Sequence, residues 1–102
     1  MLELRPICEH CGRSLPPEST EAMICSFECT FCRSCVDGVL GNVCPNCGGG
    51  FERRPVRPTT EWRTGLSITQ RPATETRYYR PVDRSAHEPF ATPIRAIPPA
   101  ER

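Results

Sequence analysis

Eight cysteines crowd into the interval from Cys8 to Cys47, and the chain has none outside it. Their spacing is Cys8-x2-Cys11-x13-Cys25-x3-Cys29-x2-Cys32-x2-Cys35-x8-Cys44-x2-Cys47. Such density means disulfides in an oxidising compartment and metal ligation in a reducing one. The opening MLELRPICEH has charges but lacks the apolar run of a secretory leader, so a cytoplasmic setting and a metal-binding role are expected. A Cys-x2-Cys knuckle lets both sulfurs reach one ion, and zinc takes four thiolates at about 2.3 Å. Eight thiolates make two complete sets, so the expected cofactors are two Zn(2+) ions. Neither set would keep the open position that catalytic zinc needs for water.

Spacing alone allows two groupings. Consecutive sites would unite Cys8, Cys11, Cys25 and Cys29 in one and the other four in the second. Interleaved sites, a cross-brace, would unite Cys8, Cys11, Cys32 and Cys35 in site 1 and Cys25, Cys29, Cys44 and Cys47 in site 2. Either arrangement makes up for a small core. Residues 1–51 are expected to form one metal-stabilised α+β domain, and domains that small rarely bury enough apolar surface unaided. The candidate core is Leu4, Ile7, Leu15, Met23, Ile24, Phe27, Phe31, Val36, Val39, Leu40 and Val43. Ala22–Cys25 reads as a short strand and Cys29–Phe31 as its return. Val36, Val39 and Leu40 fall on one face of a short helix over Arg33–Leu40, which Gly41 ends. Gly12 and Gly48 follow knuckles, where tight turns call for positive φ. A knuckle, a β-hairpin and a helix whose first turn carries ligands make a treble-clef plan.

Cys29-Thr30-Phe31-Cys32-Arg33-Ser34-Cys35-Val36, followed by Cys44-Pro45-Asn46-Cys47, resembles a RING finger. The resemblance spans Cys8 to Cys47 and implies the cross-brace grouping. The fourth ligand, usually His in RING fingers, is Cys29 here, and Cys serves zinc equally well. The opening MLELRP with Cys8-x2-Cys11, and the run from Glu21 to Cys32, also resemble a small bacterial cysteine-rich family known only as a domain of unknown function. That likeness covers residues 1–58 and implies a bacterial cytosolic protein without naming an activity.

Residues 52–102 differ in kind. They hold no Cys, eight Pro and ten Arg against six acidic residues, a net of +4. Residues 1–50 have three Arg against six acidic residues, a net of −3, and eight thiolates with two divalent ions would add a further −4. The repeated prolines and the lack of periodicity predict a Pro/Arg-rich flexible tail, disordered over 52–102. Trp62, Leu66, Ile68, Tyr78 and Tyr79 read as isolated apolar residues in it, with docking on the domain or on a partner as the alternative. His87 reads as solvated, and His10 as exposed or supporting a knuckle. No membrane-length apolar stretch occurs, so no membrane partner is expected.

With every thiol used as a ligand and no phosphate loop, nucleophile elbow or paired-carboxylate motif, the chain reads as no enzyme. Asp37 and Glu28 read as surface charges. The expected function is a non-catalytic structural-zinc module that binds a protein partner, an interaction or adaptor protein. The alternative is nucleic-acid binding through tail arginines and aromatics. Two lesser readings are an iron–sulfur electron carrier, whose final Cys gap would be shorter than eight residues, and ubiquitin-ligase-like activity. Ligase RING fingers place an apolar residue after the first ligand, where this chain has Glu9. Oligomeric state leaves no mark in the sequence.

Overall fold

The computed structural model describes residues 1–102. At its centre is a three-stranded antiparallel sheet. Strand β1, Ala22–Ile24, pairs with β2, Thr30–Cys32, in a register that sets Met23 opposite Phe31. The connecting loop closes through Cys25 N–H to Cys29 O at 3.2 Å and Glu28 N–H to Cys25 O at 3.0 Å. Strand β3, Glu52–Arg53, adds to the other edge of β1, giving the order β2-β1-β3. The domain therefore runs past residue 51, where the composition changes.

The expected helix forms but changes pitch. Helix α1, Arg33–Cys35, opens into a π-helical turn over Val36–Leu40, and the Gly41 N–H bonds back to Val36 O. Gly41 stops it at φ 62°, a conformation that favours glycine. Val36 and Leu40 are buried against the sheet, while Val39 is half-buried.

Twelve buried residues form the core cluster, and six of them are cysteines. Sulfur stands where a larger domain would place hydrocarbon. Leu4, Ile7, Leu15, Phe31, Val36, Leu40 and Val43 are buried as expected, and Met23 and Ile24 are half-buried. Phe27 is a correction. It sits in the Cys25–Cys29 loop and is 70% exposed. Its place is taken by Phe51, whose ring meets Phe31 edge to face at 5.5 Å.

Within residues 52–102, read from sequence as a flexible tail, several residues bond to the domain. Arg54 is buried to 1% exposure and donates to three main-chain carbonyls: Arg5 O at 2.8 Å, Leu15 O at 3.2 Å and Pro16 O at 2.9 Å. Thr74 N–H reaches Leu4 O at 3.2 Å. The Tyr78 ring lies under the Arg5 guanidinium at 3.9 Å. Trp62, at 76% exposed, and Leu66 stand out in solvent.

Helix α2, Arg84–Arg95, begins at Asp83, whose carboxylate accepts from Ser85 N–H at 3.0 Å and Ala86 N–H at 3.4 Å. It contains Pro89 and Pro93, the residues that argued against a helix. What outweighs them is tertiary. His87 and Ala91, one turn apart, are buried. His87, expected to be solvated, is a second correction, with Nε2 2.9 Å from Leu40 O. A short 3-10 turn over Pro99–Glu101 ends the chain. No helix is long and apolar enough to cross a membrane.

Candidate metal centres

The cysteines gather in two groups that interleave along the chain. Cys8, Cys11, Cys32 and Cys35 bring their Sγ atoms within 4.8 Å of one another. Cys25, Cys44 and Cys47 do the same. Cys29 falls outside that second group of three, and its Sγ accepts from Asn46 Nδ2 at 3.3 Å. A tetrahedron with metal–sulfur bonds of about 2.3 Å has sulfur–sulfur edges of about 3.8 Å. Cys11 Sγ and Cys32 Sγ are 3.8 Å apart, so the donor set suits a thiophilic ion in both identity and size.

Local structure explains how each sulfur is aimed. In the first knuckle Gly12 N–H bonds Cys8 O at 3.0 Å, with Gly12 at φ 76°. In the last, Gly48 N–H bonds Cys44 O at 2.8 Å, with Gly48 at φ 79°. Both glycines take the positive φ anticipated for them. Amides also point at sulfur: Phe27 N–H lies 3.3 Å from Cys25 Sγ and Gly49 N–H 3.4 Å from Cys47 Sγ. Strand β2 ends on Cys32 and α1 carries Cys35, so sheet and helix deliver half of the first group. Cys8 and Cys44 are fully buried, while Cys11 and Cys47 face solvent.

The thiols share protons unevenly. Hydrogen bonding from the Cys44 thiol, outweighing burial and helped by Asn46 and Cys25, pulls Cys29 down to about 5. The same contact with Cys29, together with burial, pushes Cys44 up. Burial raises Cys25 to about 11. Burial, then the Cys32 thiol, raises Cys35. Each group thus holds sulfurs in a proton-sharing cage, and a divalent cation would replace those protons. Metal retention should therefore weaken with acid. The depressed pKa of Cys29 favours the folded state above the ordinary 9.0, and that contribution is lost as pH falls through about 5. A chromogenic chelator should capture progressively more metal from about pH 7 down to about pH 4. Release that ignores pH would remove thiolates as the ligands.

Around the sulfurs lie groups the sequence left unassigned. Glu9 is 2% exposed, and its Oε1 accepts from Arg80 Nη2 at 2.9 Å and from Asn46 Nδ2 at 3.1 Å. Asn46 Nδ2 also lies 3.3 Å from Cys29 Sγ. Glu9 and Asn46 thereby tie the two groups together through residues that follow a ligand by one or two positions. His10 supports the chain, as one of its two expected roles: its Nδ1 accepts Val82 N–H at 2.8 Å. Glu28 is half-buried and accepts Glu3 N–H at 2.8 Å, and Asp37 is exposed.

A family model described as a protein of unknown function, DUF1272, matches residues 1–57. An uncharacterized protein of Rhizobium meliloti (strain 1021) is 63% identical over 60 residues, covering 59% of this chain and 71% of that protein. No solved structure matches the chain. The bacterial likeness read from the cysteine-rich segment is borne out, and the matched region stops just after Arg54.

Proposed function

The chain belongs to the DUF1272 family, and on that footing we propose that it is a non-catalytic, zinc-stapled module of RING-like treble-clef design that docks a protein partner in the cytoplasm. The observation that carries this reading is the pair of interleaved thiol groups inside a core that is half cysteine. Cys8, Cys11, Cys32 and Cys35 would hold one Zn(2+) ion, and Cys25, Cys29, Cys44 and Cys47 the other. Bound zinc would supply the cohesion that a core this small lacks. None of the eight cysteines is paired in a disulfide. With each of them in or beside a group, no thiol is left as a nucleophile.

The fate of the arginines favours a protein partner over nucleic acid. Arg54, Arg57, Arg80, Arg95 and Arg102 spend their guanidinium groups on carbonyls and carboxylates of the same chain. That is half of the ten that suggested a phosphate-binding tail. A ligase-like reading is weakened at Glu9, which lies under Arg80 where a conjugating enzyme would meet an apolar residue.

Metal analysis of protein purified without oxygen is expected to give two zinc ions per chain and no visible colour. Iron with broad absorption near about 400 nm would make electron transfer the function instead. A labelled single-stranded oligonucleotide should show no retained binding at about 0.15 M ionic strength. Tight binding that falls steeply with salt would establish the nucleic-acid reading.

A further inference from the structure

The C-terminal segment is held to the cysteine-bearing domain largely through the domain's main chain. Leu40 ends the π-helical turn and Asn42 lies two residues past it; Leu40 O accepts the Val43 N–H at 3.3 Å and has a second lone pair to offer. His87 Nε2 lies 2.9 Å from Leu40 O, and since a carbonyl only accepts, that nitrogen carries the proton. Arg102 Nη1 donates to Asn42 O at 2.8 Å and to Gly48 O at 3.2 Å. Between these anchors Ala91 is fully buried. A Cβ on Gly48 would already be in contact with Ile94, at 3.5 Å from Cδ1. His87, Ala91 and Ile94 thus form an i, i+4, i+7 face turned toward a groove whose walls are the helix end and the Cys44–Gly50 turn.

Gly50 shows how closely the groove fits its occupant. Its backbone is not in the left-handed region, yet an added Cβ would lie 2.8 Å from Pro99 Cγ. The missing side chain is clearance for the strap. The occupant, by contrast, is not self-sufficient. Pro89 and Pro93 remove two amide donors from within α2, so the groove maintains the helix. The occupant also lies wholly beyond residue 57, where the family match ends. The groove walls lie within that match.

We propose that this groove is a docking site for an amphipathic helix. Its ligand would place a small residue on the groove floor, a side-chain donor on the Leu40 carbonyl and a cationic group on the Asn42 and Gly48 carbonyls. Helix α2 fills the groove in cis until a partner's helix of that chemistry displaces it. The Asn42 and Gly48 carbonyls, which Arg102 meets, favour a cationic occupant. The proposal rests on the protein-partner reading above and names its surface.

The test uses the full chain carrying Ala91→Glu, which puts a carboxylate at a fully buried strap position and leaves the groove walls unchanged. The probe is a labelled synthetic peptide of residues 80–102. It should bind this chain at least about tenfold more tightly than wild type, whose groove is filled. Adding Gly50→Ala should cost the peptide about tenfold, because its own Pro99 needs the clearance. Equal affinity for the wild-type and Ala91→Glu chains would overturn the proposal. So would equal binding of a scrambled peptide, or no binding by an Ala91→Glu chain that retains full metal and exchanges its α2 amides freely. If Ala91→Glu loses metal, Ile94→Asp, at a half-buried strap position, takes its place with the same outcomes. Metal content measured in the same samples reports on the zinc reading separately.

Discussion

A chain carrying Cys44→Ser is expected to be unfolded at 25 °C, rather than merely less stable. Cys44 is fully buried, belongs to the second thiol group, and frames its knuckle by bonding Gly49 O at 2.8 Å and Gly48 N–H at 2.8 Å. Serine preserves those main-chain bonds and nearly the same shape, so the substitution isolates the sulfur. A structural zinc site in a small domain is worth about 10–16 kcal/mol at neutral pH. The whole stability of a domain is about 5–15 kcal/mol. Loss of one ligand from a four-thiolate site therefore exceeds what the remaining core can offset. Circular dichroism should show loss of cooperative unfolding, and bound metal should fall below two per chain. A Cys44→Ser chain that stayed folded with both ions would remove Cys44 from the ligand set.

Arg54→Ala is expected to destabilise the protein by about 3–5 kcal/mol, a large effect for a residue outside the cysteine-rich segment. Two causes add. The Arg5 and Leu15 carbonyls lose their donor, while Pro16 O keeps the Ser19 N–H at 2.9 Å, and unsatisfied buried polar groups cost about 1–3 kcal/mol each. Truncating a large side chain that is 1% exposed also leaves a cavity. Arg54→Lys should recover only part of the loss, because an ammonium has no planar fork to span separate carbonyls. At about 4–8 °C per kcal/mol, the alanine variant should melt at least about 12 °C lower. A change under about 1 kcal/mol would mean that water reaches the Arg5 and Leu15 carbonyls and replaces the guanidinium.

The parts of the molecule that could be read from sequence are those whose chemistry forces a local spacing. Cysteines that share one ion commonly come in knuckles, and the Cys-x2-Cys pairs pointed to both thiol groups. Val36 and Leu40 share a face because a helix returns every three to four residues. The hairpin was legible for the same reason, to within a residue at each end. What escaped is set by distant partners. Arg54 reads as one more tail arginine until the chain brings it to Leu15, 39 positions away. Phe51 stands at a change in composition and looks like an end, yet it fills the core place that Phe27 was expected to hold. Helix α2 was illegible because its two prolines speak against a helix locally. Its support is a buried His87 and Ala91 against a turn some fifty residues earlier. The interleaving of the thiol groups was legible only through resemblance, since spacing alone admits the consecutive arrangement equally.

Trp62 carries a practical consequence. It is the chain's one indole, stands 76% exposed and takes no part in the sulfur-filled core. Its fluorescence already reports water in the native protein and has little further to change when the domain comes apart. Tryptophan emission will therefore be nearly blind to disruption of the thiol groups, and a titration that seems flat in that signal can hide a complete collapse. The eight sulfurs, by their ultraviolet absorption when bound to metal, are the molecule's own gauge of whether it is folded.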